Sequence, residues 1–106
     1  PTYSGDLVRT VNFSDWSDNL ERTQSFVQSY VPGEKIKISQ YWSAATEEGY
    51  NDDAGIVIFI KDAKKGHDIR KIGLNENEAL YGRNTEFLVL EKIFKDGVWN
   101  IYLREV

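Results

Sequence analysis

The chain has 106 residues, a length that favours one globular domain. Its formal net charge of −4 disfavours a protein whose main function is nucleic-acid binding. It has no cysteine and one histidine, so disulfide frameworks, thiol nucleophiles and three-histidine metal centres are excluded. No apolar run approaches the roughly 18 residues of a membrane helix. Because the chain starts at Pro1 and lacks methionine, we expect residues 1–106 to be a single domain excised from a longer protein.

The first predicted strand carries an arginine on its apolar face. Side chains alternate along residues 7–13, and one face holds Leu7, Arg9, Val11 and Phe13. An arginine at such a position either pairs with an internal carboxylate or receives an anionic ligand, because its guanidinium is rarely buried alone and fits phosphate. Both interpretations are open at this point.

A helix and two further strands are predicted next. Ser14 and Asp15 provide helix-start chemistry, and residues 32–33, Pro-Gly, end the helix. The apolar stripe that should face the core consists of Trp16, Leu20, Thr23, Val27 and Val31. Residues 35–42 alternate as a second strand, and the continuous apolar run 55–60 is typical of a strand buried on both faces.

Aromatic residues at the end of the second strand lead into small residues. Tyr41, Trp42 and Ser43 stand directly before a polar loop. Aromatic walls beside a polar lip are typical of a ligand pocket. The same pattern also ends an ordinary strand, with the aromatic rings in the core and the serine starting a turn.

Two glutamates separated by one residue precede the last strands. If this stretch is extended, Glu76 and Glu78 project from the same face, about 7 Å apart along the strand. Two close carboxylates suit a reaction with an oxocarbenium-like transition state, in which one stabilises positive charge and the other handles a nucleophile. The alternative is a solvated acidic loop, since 17 of the 106 residues are acidic.

The end of the chain predicts a β-hairpin. The β-rich runs 87–94 and 98–106 are joined through Asp96-Gly97, which is a turn signal between strands. Together with the earlier elements this gives one helix and five or six strands. The sequence therefore predicts an α+β domain, a compact, mostly antiparallel β-sheet or split β-sandwich with one main helix.

The order of these pieces resembles the ADP-ribosyltransferase superfamily, in the branch described by an Arg, Ser-Thr-Ser, Glu-x-Glu pattern. The most specific stretch is residues 65–89, where Lys-Gly-x-x-Ile leads through a loop to Glu-x-Glu-x-Leu and then to Asn-Thr-x-Phe-x-Val. The last strand, residues 97–103, is also similar, so the resemblance covers roughly residues 5–106. The second motif reads Ser43-Ala44-Ala45, which keeps only its first serine, and Thr10 stands where relatives often carry glycine.

The resemblance implies an ADP-ribosyltransferase-like fold and a mono-ADP-ribosyltransferase that consumes NAD as a substrate and uses no metal. The implied NAD-binding residues are Arg9, Thr10, Tyr41 and Ser43. Glu78 would be catalytic, holding the ribose 2′-hydroxyl and stabilising the oxocarbenium as nicotinamide leaves. Glu76 would position and help deprotonate the acceptor, and a glutamate at this place implies an arginine acceptor. Residues 69–75 would form the target-recognition loop.

The resemblance also implies a biological setting. A cysteine-free domain of this kind suits a bacterial toxin or effector that is secreted or injected and modifies a target protein in the cytoplasm of a recipient or host cell. An immunity protein is a compatible partner, whereas a membrane and nucleic acid are not expected partners. Two alternatives stay open: an NAD glycohydrolase, in which water replaces the protein acceptor, and a noncatalytic β-rich binding module.

Overall fold

The computed structural model describes residues 5–39, 42–45, 55–64, 67–68 and 78–106, and this part of the chain has one helix and eight strands. The strands are β1 Gly5–Val11, β2 Lys35–Lys37, β3 Trp42–Ala45, β4 Ile56–Ala63, β5 His67–Asp68, β6 Glu78–Tyr81, β7 Glu86–Lys95 and β8 Val98–Glu105. Helix α1 spans Asn19–Gln28. Within the described ranges, no helix has the length and apolarity needed to span a bilayer. The predicted α+β class, with one main helix, is confirmed.

The strands pair in the order β2-β7-β8-β4-β1-β3-β6-β5. Neighbouring strands run antiparallel, except that β4 and β8 run parallel. The hairpin between β7 and β8 turns at Asp96 and Gly97, which have φ values of 54° and 80°. Two successive positive φ angles are what a mirror-image hairpin turn requires, so the Asp-Gly signal located this hairpin correctly.

The sheet curls so strongly that strands far apart in its order meet through their side chains. Trp42 of β3 stacks on Phe87 of β7 with ring centroids 5.6 Å apart, although β1, β4 and β8 lie between those two strands. Tyr81 of β6 contacts Phe87 edge-on, at 5.1 Å between ring centroids. These rings fill the space between two facing parts of the curled sheet, which is the arrangement expected of a split β-sandwich.

Strand β4 lies in the middle of the sheet, with one face buried from Ile56 to Ile60 and the other face buried at Val57. Ile56, Ile58 and Ile60 on one face and Val57 on the other are all buried. The continuous apolar run therefore predicted a buried strand correctly, although Phe59 on the second face is only half-buried. The core that β4 shares with its neighbours β1 and β8 contains Leu7, Ile101 and Leu103.

Helix α1 packs on the sheet through its C-terminal half, which corrects the predicted core stripe. Val27 is 2% exposed, and Tyr30, just after the helix, is 5% exposed. Three stripe positions are instead exposed: Trp16 at 51%, Leu20 at 80% and Val31 at 40%. The helix begins only at Asn19, so Trp16 lies in the preceding turn, with the Arg22 guanidinium 3.9 Å from its ring centre. The stripe prediction was wrong at Trp16 and Val31 because the helix is shorter than the periodic pattern, and at Leu20 because the N-terminal half of the helix does not pack on the sheet.

Val27→Ala is expected to lower the free energy of unfolding by about 2 kcal/mol, because it removes two buried methyl groups and leaves a cavity beneath the helix. Leu20→Ala is the matched control on the same helix. It should change that free energy by less than about 0.5 kcal/mol, since the side chain is exposed. Urea unfolding followed by circular dichroism measures both variants. Equal losses would contradict the observed packing of α1.

Candidate active site

The three sequence motifs lie on neighbouring strands. Arg9 belongs to β1, Ser43 to β3 and Glu78 to β6, and β3 lies between the other two in the sheet. Ala45 of β3 pairs with Val8 on one side and with Glu78 on the other. Val8, Ala45 and Glu78 therefore lie side by side on three neighbouring strands. Two strand spacings, or roughly 10 Å, separate the backbone of Glu78 from that of Val8, the residue before Arg9. Motifs separated by more than 30 residues in sequence come together in this way.

The other predicted site residues occupy different positions. Tyr41 and Glu76 lie outside the described residues. Thr10 follows Arg9 on β1 and pairs with Val57 of β4. Because side chains alternate along a strand, Thr10 faces the opposite side of the sheet from Arg9. The fold therefore does not bring Thr10 and Arg9 to one surface.

Arg9 lies on the core face of β1, as its alternation predicts. It stands two residues after the buried Leu7 and pairs with the buried Ile58 of β4. Its guanidinium carbon is 5.1 Å from the centre of the Trp42 ring, which is a cation–π distance. Burial lowers the pKa of Arg9, while the charge interaction with Tyr30 raises it. An arginine keeps its positive charge at neutral pH under such conditions.

A cavity of about 370 Å³ opens between the C-terminal end of α1 and the strands β2 and β3. Its aromatic lining consists of Phe26, Tyr30 and Trp42, and its polar lining of Ser29, Lys37 and Ser39. This volume falls in the range of small-molecule sites. The Arg9 guanidinium lies against the Trp42 wall. Arg9 does not itself line the cavity, but it places a positive charge on the Trp42 ring, next to aromatic surface, which suits a ligand that carries planar rings and phosphate groups.

Phe26 and Tyr30 belong to this cavity but were not predicted from the sequence. The predicted stripe on α1 passed through Val27 and left both aromatic residues out. Their ring centroids are 5.1 Å apart, and the ring planes are inclined by 30°. The four-residue spacing is the signal that could have found them, because side chains at that spacing meet on one side of a helix. Burial raises the pKa of the Tyr30 hydroxyl, which therefore stays protonated at neutral pH.

Solved structures of bacterial proteins share this architecture. An ADP-ribosyltransferase from Clostridium botulinum matches with a TM-score of 0.71 at 14% identity, over 96% of this chain and 60% of that one. The chain has the ADP-ribosyltransferase fold. The type III effector XopAI from Xanthomonas axonopodis pv. citri matches at 0.76 and 14% identity, over 99% of this chain and 42% of that one. A third match is exoenzyme S from Pseudomonas aeruginosa, solved in complex with human 14-3-3 protein beta and bound to carba-NAD. Its TM-score is 0.74 at 17% identity, and the match covers 98% of this chain and 49% of that one.

The ADP-ribosyltransferase fold confirms the architecture that the sequence resemblance implied. With identities of 14 to 17%, these matches establish the fold alone. The chain spans about half the length of the solved structures that it matches. No protein-family model matches the sequence, and no curated protein sequence matches it.

Proposed function

We propose that the chain is the catalytic domain, residues 1–106, of an NAD-dependent mono-ADP-ribosyltransferase of the Arg, Ser-Thr-Ser, Glu-x-Glu branch. One observation carries the proposal: the strands of Arg9, Ser43 and Glu78 are neighbours in a chain with the ADP-ribosyltransferase fold. A fold by itself hosts many functions. The coincidence of this fold with these motifs on adjacent strands is what supports the activity.

In the proposed site, NAD is bound through its phosphates and its rings. Arg9 donates charge-assisted hydrogen bonds to a phosphate, and its fork shape allows two such bonds at once. The aromatic cavity beside Arg9 supports this role, since Trp42 belongs to the cavity and also lies under the guanidinium. Ser43 braces the pocket and orients the catalytic glutamate. Thr10 and Tyr41 complete the proposed NAD-binding set.

The proposed reaction transfers ADP-ribose to an arginine. The bond between the ribose C1′ and the nicotinamide nitrogen breaks, and its electron pair leaves with the now neutral nicotinamide. Glu78 accepts a hydrogen bond from the ribose 2′-hydroxyl and stabilises the positive charge that develops on the ribose. Glu76 takes a proton from the acceptor guanidinium as its nitrogen forms the new bond to C1′. No metal takes part.

The acceptor is proposed to be an arginine of a target protein in a recipient or host cell. We assign the domain to a bacterial toxin or effector that is secreted or injected and acts in the target-cell cytoplasm. Two neighbours in fold support this setting: XopAI is a type III effector, and exoenzyme S was solved in complex with a human protein.

Incubation with labelled NAD and a cell lysate tests the proposal, with label expected in protein and nicotinamide expected in solution. Glu76→Gln should lower protein labelling by about 100-fold or more, because the acceptor loses its base. Nicotinamide release should persist, because Glu78 still stabilises the ribosyl cation. The ratio of labelled protein to released nicotinamide is the quantity to measure.

Glu91→Gln is the matched control, since Glu91 is exposed on β7. It should leave both labelling and nicotinamide release unchanged. Nicotinamide release by the unaltered chain without any labelled protein would instead establish an NAD glycohydrolase. If the chain neither turns over NAD nor binds it, the noncatalytic binding module is left as the function.

A further inference from the structure

A single carboxylate near the end of the chain joins two strands that flank the candidate site. Tyr81 Oη donates a hydrogen bond to Glu105 Oε1 at 2.6 Å. The backbone N–H of Lys64 donates to both oxygens of the same carboxylate, at 2.9 and 3.0 Å. Lys64 directly follows β4, and Tyr81 ends β6. Glu105 therefore connects the end of β4 with the end of β6, the strand that begins at Glu78.

The hydrogen bond from Tyr81 is of the strong kind. The Tyr81 side chain is fully buried, and a hydroxyl bonded to a carboxylate forms a bond roughly twice as strong as one between neutral groups. Burial, followed by the hydrogen bond to Glu105, raises the pKa of Tyr81. The hydroxyl therefore stays protonated at neutral pH and keeps its role as donor. Such a bond resists displacement of β6.

Ring contacts link Tyr81 to the surroundings of Arg9. Tyr81 meets Phe87 edge-on at 5.1 Å, Phe87 stacks on Trp42 at 5.6 Å, and the Arg9 guanidinium lies 5.1 Å over Trp42. Close-packed side chains transmit displacement, because a core has few voids to absorb it. Glu78 is at the other end of the same four-residue strand as Tyr81. Displacement of Tyr81 would therefore move the backbone of Glu78 relative to Arg9.

We propose that Tyr81 and Glu105 are positioning residues for the reaction, because their hydrogen bond holds strand β6, and with it the backbone of Glu78, in place relative to Arg9. This inference rests on the proposed function. Neither residue lines the aromatic cavity next to Arg9. Loosening them should therefore slow the chemical step and leave NAD binding nearly unchanged. That division between kcat and KM distinguishes positioning from a merely structural role.

Tyr81→Phe and Glu105→Gln test the inference, with transfer to arginine methyl ester as the reaction measured. Tyr81→Phe removes the hydrogen bond and should lower kcat between about 10-fold and 100-fold, since misplacement of a catalytic group by about 1 Å has effects of this size. Glu105→Gln should lower kcat by a smaller factor, about fivefold, because its amide oxygen still accepts a hydrogen bond but lacks the charge that strengthens it. The KM for NAD should change less than about twofold. The double variant should be no slower than Tyr81→Phe alone, because both residues act through one hydrogen bond.

Tyr102→Phe is the matched control, since Tyr102 is a half-buried tyrosine of β8 that stacks on Phe59. It should leave kcat unchanged. All rates are taken well below the melting temperature of each variant, so that only folded protein is compared. If Tyr81→Phe does not fold, Glu105→Gln still tests the positioning role, because it weakens the hydrogen bond without removing it and should lower kcat at an unchanged KM for NAD.

Two different failures can be told apart by this experiment. If the unaltered chain transfers ADP-ribose and both variants keep kcat within about twofold of it, the positioning role is overturned and the proposed function stands. If the unaltered chain does not turn over NAD, the proposed function is overturned, and the positioning role falls with it. A lower melting temperature at unchanged kcat would also overturn the positioning role.

Discussion

Glu78→Gln is expected to lower nicotinamide release and protein labelling together, by about 100-fold to 1000-fold. Glutamine keeps the size of the side chain and one acceptor oxygen but removes the negative charge. In the proposed reaction, the negative charge of Glu78 stabilises a positive charge on the ribose, and this positive charge develops only in the transition state. Its loss should therefore reduce kcat far more than it raises the KM for NAD. Initial rates of nicotinamide release at several NAD concentrations measure both constants.

The contrast with Glu76→Gln makes the result for Glu78 specific. The Glu78 variant should lose both products, whereas the Glu76 variant should lose only the labelled protein. Glu91→Gln controls for a general effect of removing one negative charge, because Glu91 is exposed on β7. Thermal unfolding of each variant shows whether the fold is retained. A folded Glu78→Gln protein with the nicotinamide release of the unaltered chain would refute the assigned role.

Arg9→Lys is expected to raise the KM for NAD by about 10-fold to 100-fold, with a smaller change in kcat. Hydrogen bonds to charged groups contribute about 1.5 to 3 kcal/mol, which corresponds to this range. Lysine keeps the positive charge but has no planar fork to bind a phosphate twice. It also loses the cation–π contact that the guanidinium makes with Trp42. Calorimetric titration with NAD measures the affinity directly.

Arg104→Lys is the matched control for Arg9→Lys, because Arg104 is an exposed arginine of β8. Its NAD affinity should equal that of the unaltered chain. The competing interpretation treats Arg9 as part of a structural ion pair in a noncatalytic module. It predicts a lower melting temperature for Arg9→Lys and no NAD binding by any form of the protein. NAD binding of equal strength by Arg9→Lys and the unaltered chain would refute the ligand role of Arg9.

The sequence alone identified the features that depend on near neighbours. Alternation along β1 placed Arg9 on the core face, because strand side chains change sides at every residue. The apolar run of β4 indicated a buried strand, and the Asp96-Gly97 turn located the last hairpin. The resemblance to ADP-ribosyltransferases also predicted the fold correctly. The roles of all six predicted site residues stay predictions: Arg9, Thr10, Tyr41, Ser43, Glu76 and Glu78.

Only the tertiary structure decided which distant elements meet. The order β1-β3-β6 and the parallel pairing of β4 with β8 have no local signal. The bond from Tyr81 to Glu105, which spans 24 residues of sequence, has none either. The predicted stripe included Val27 but did not show that α1 packs on the sheet only through its C-terminal half. Periodicity reports which face of an element is apolar, but not which other element covers it. That choice depends on how the whole chain buries its apolar surface and pairs its backbone groups at once.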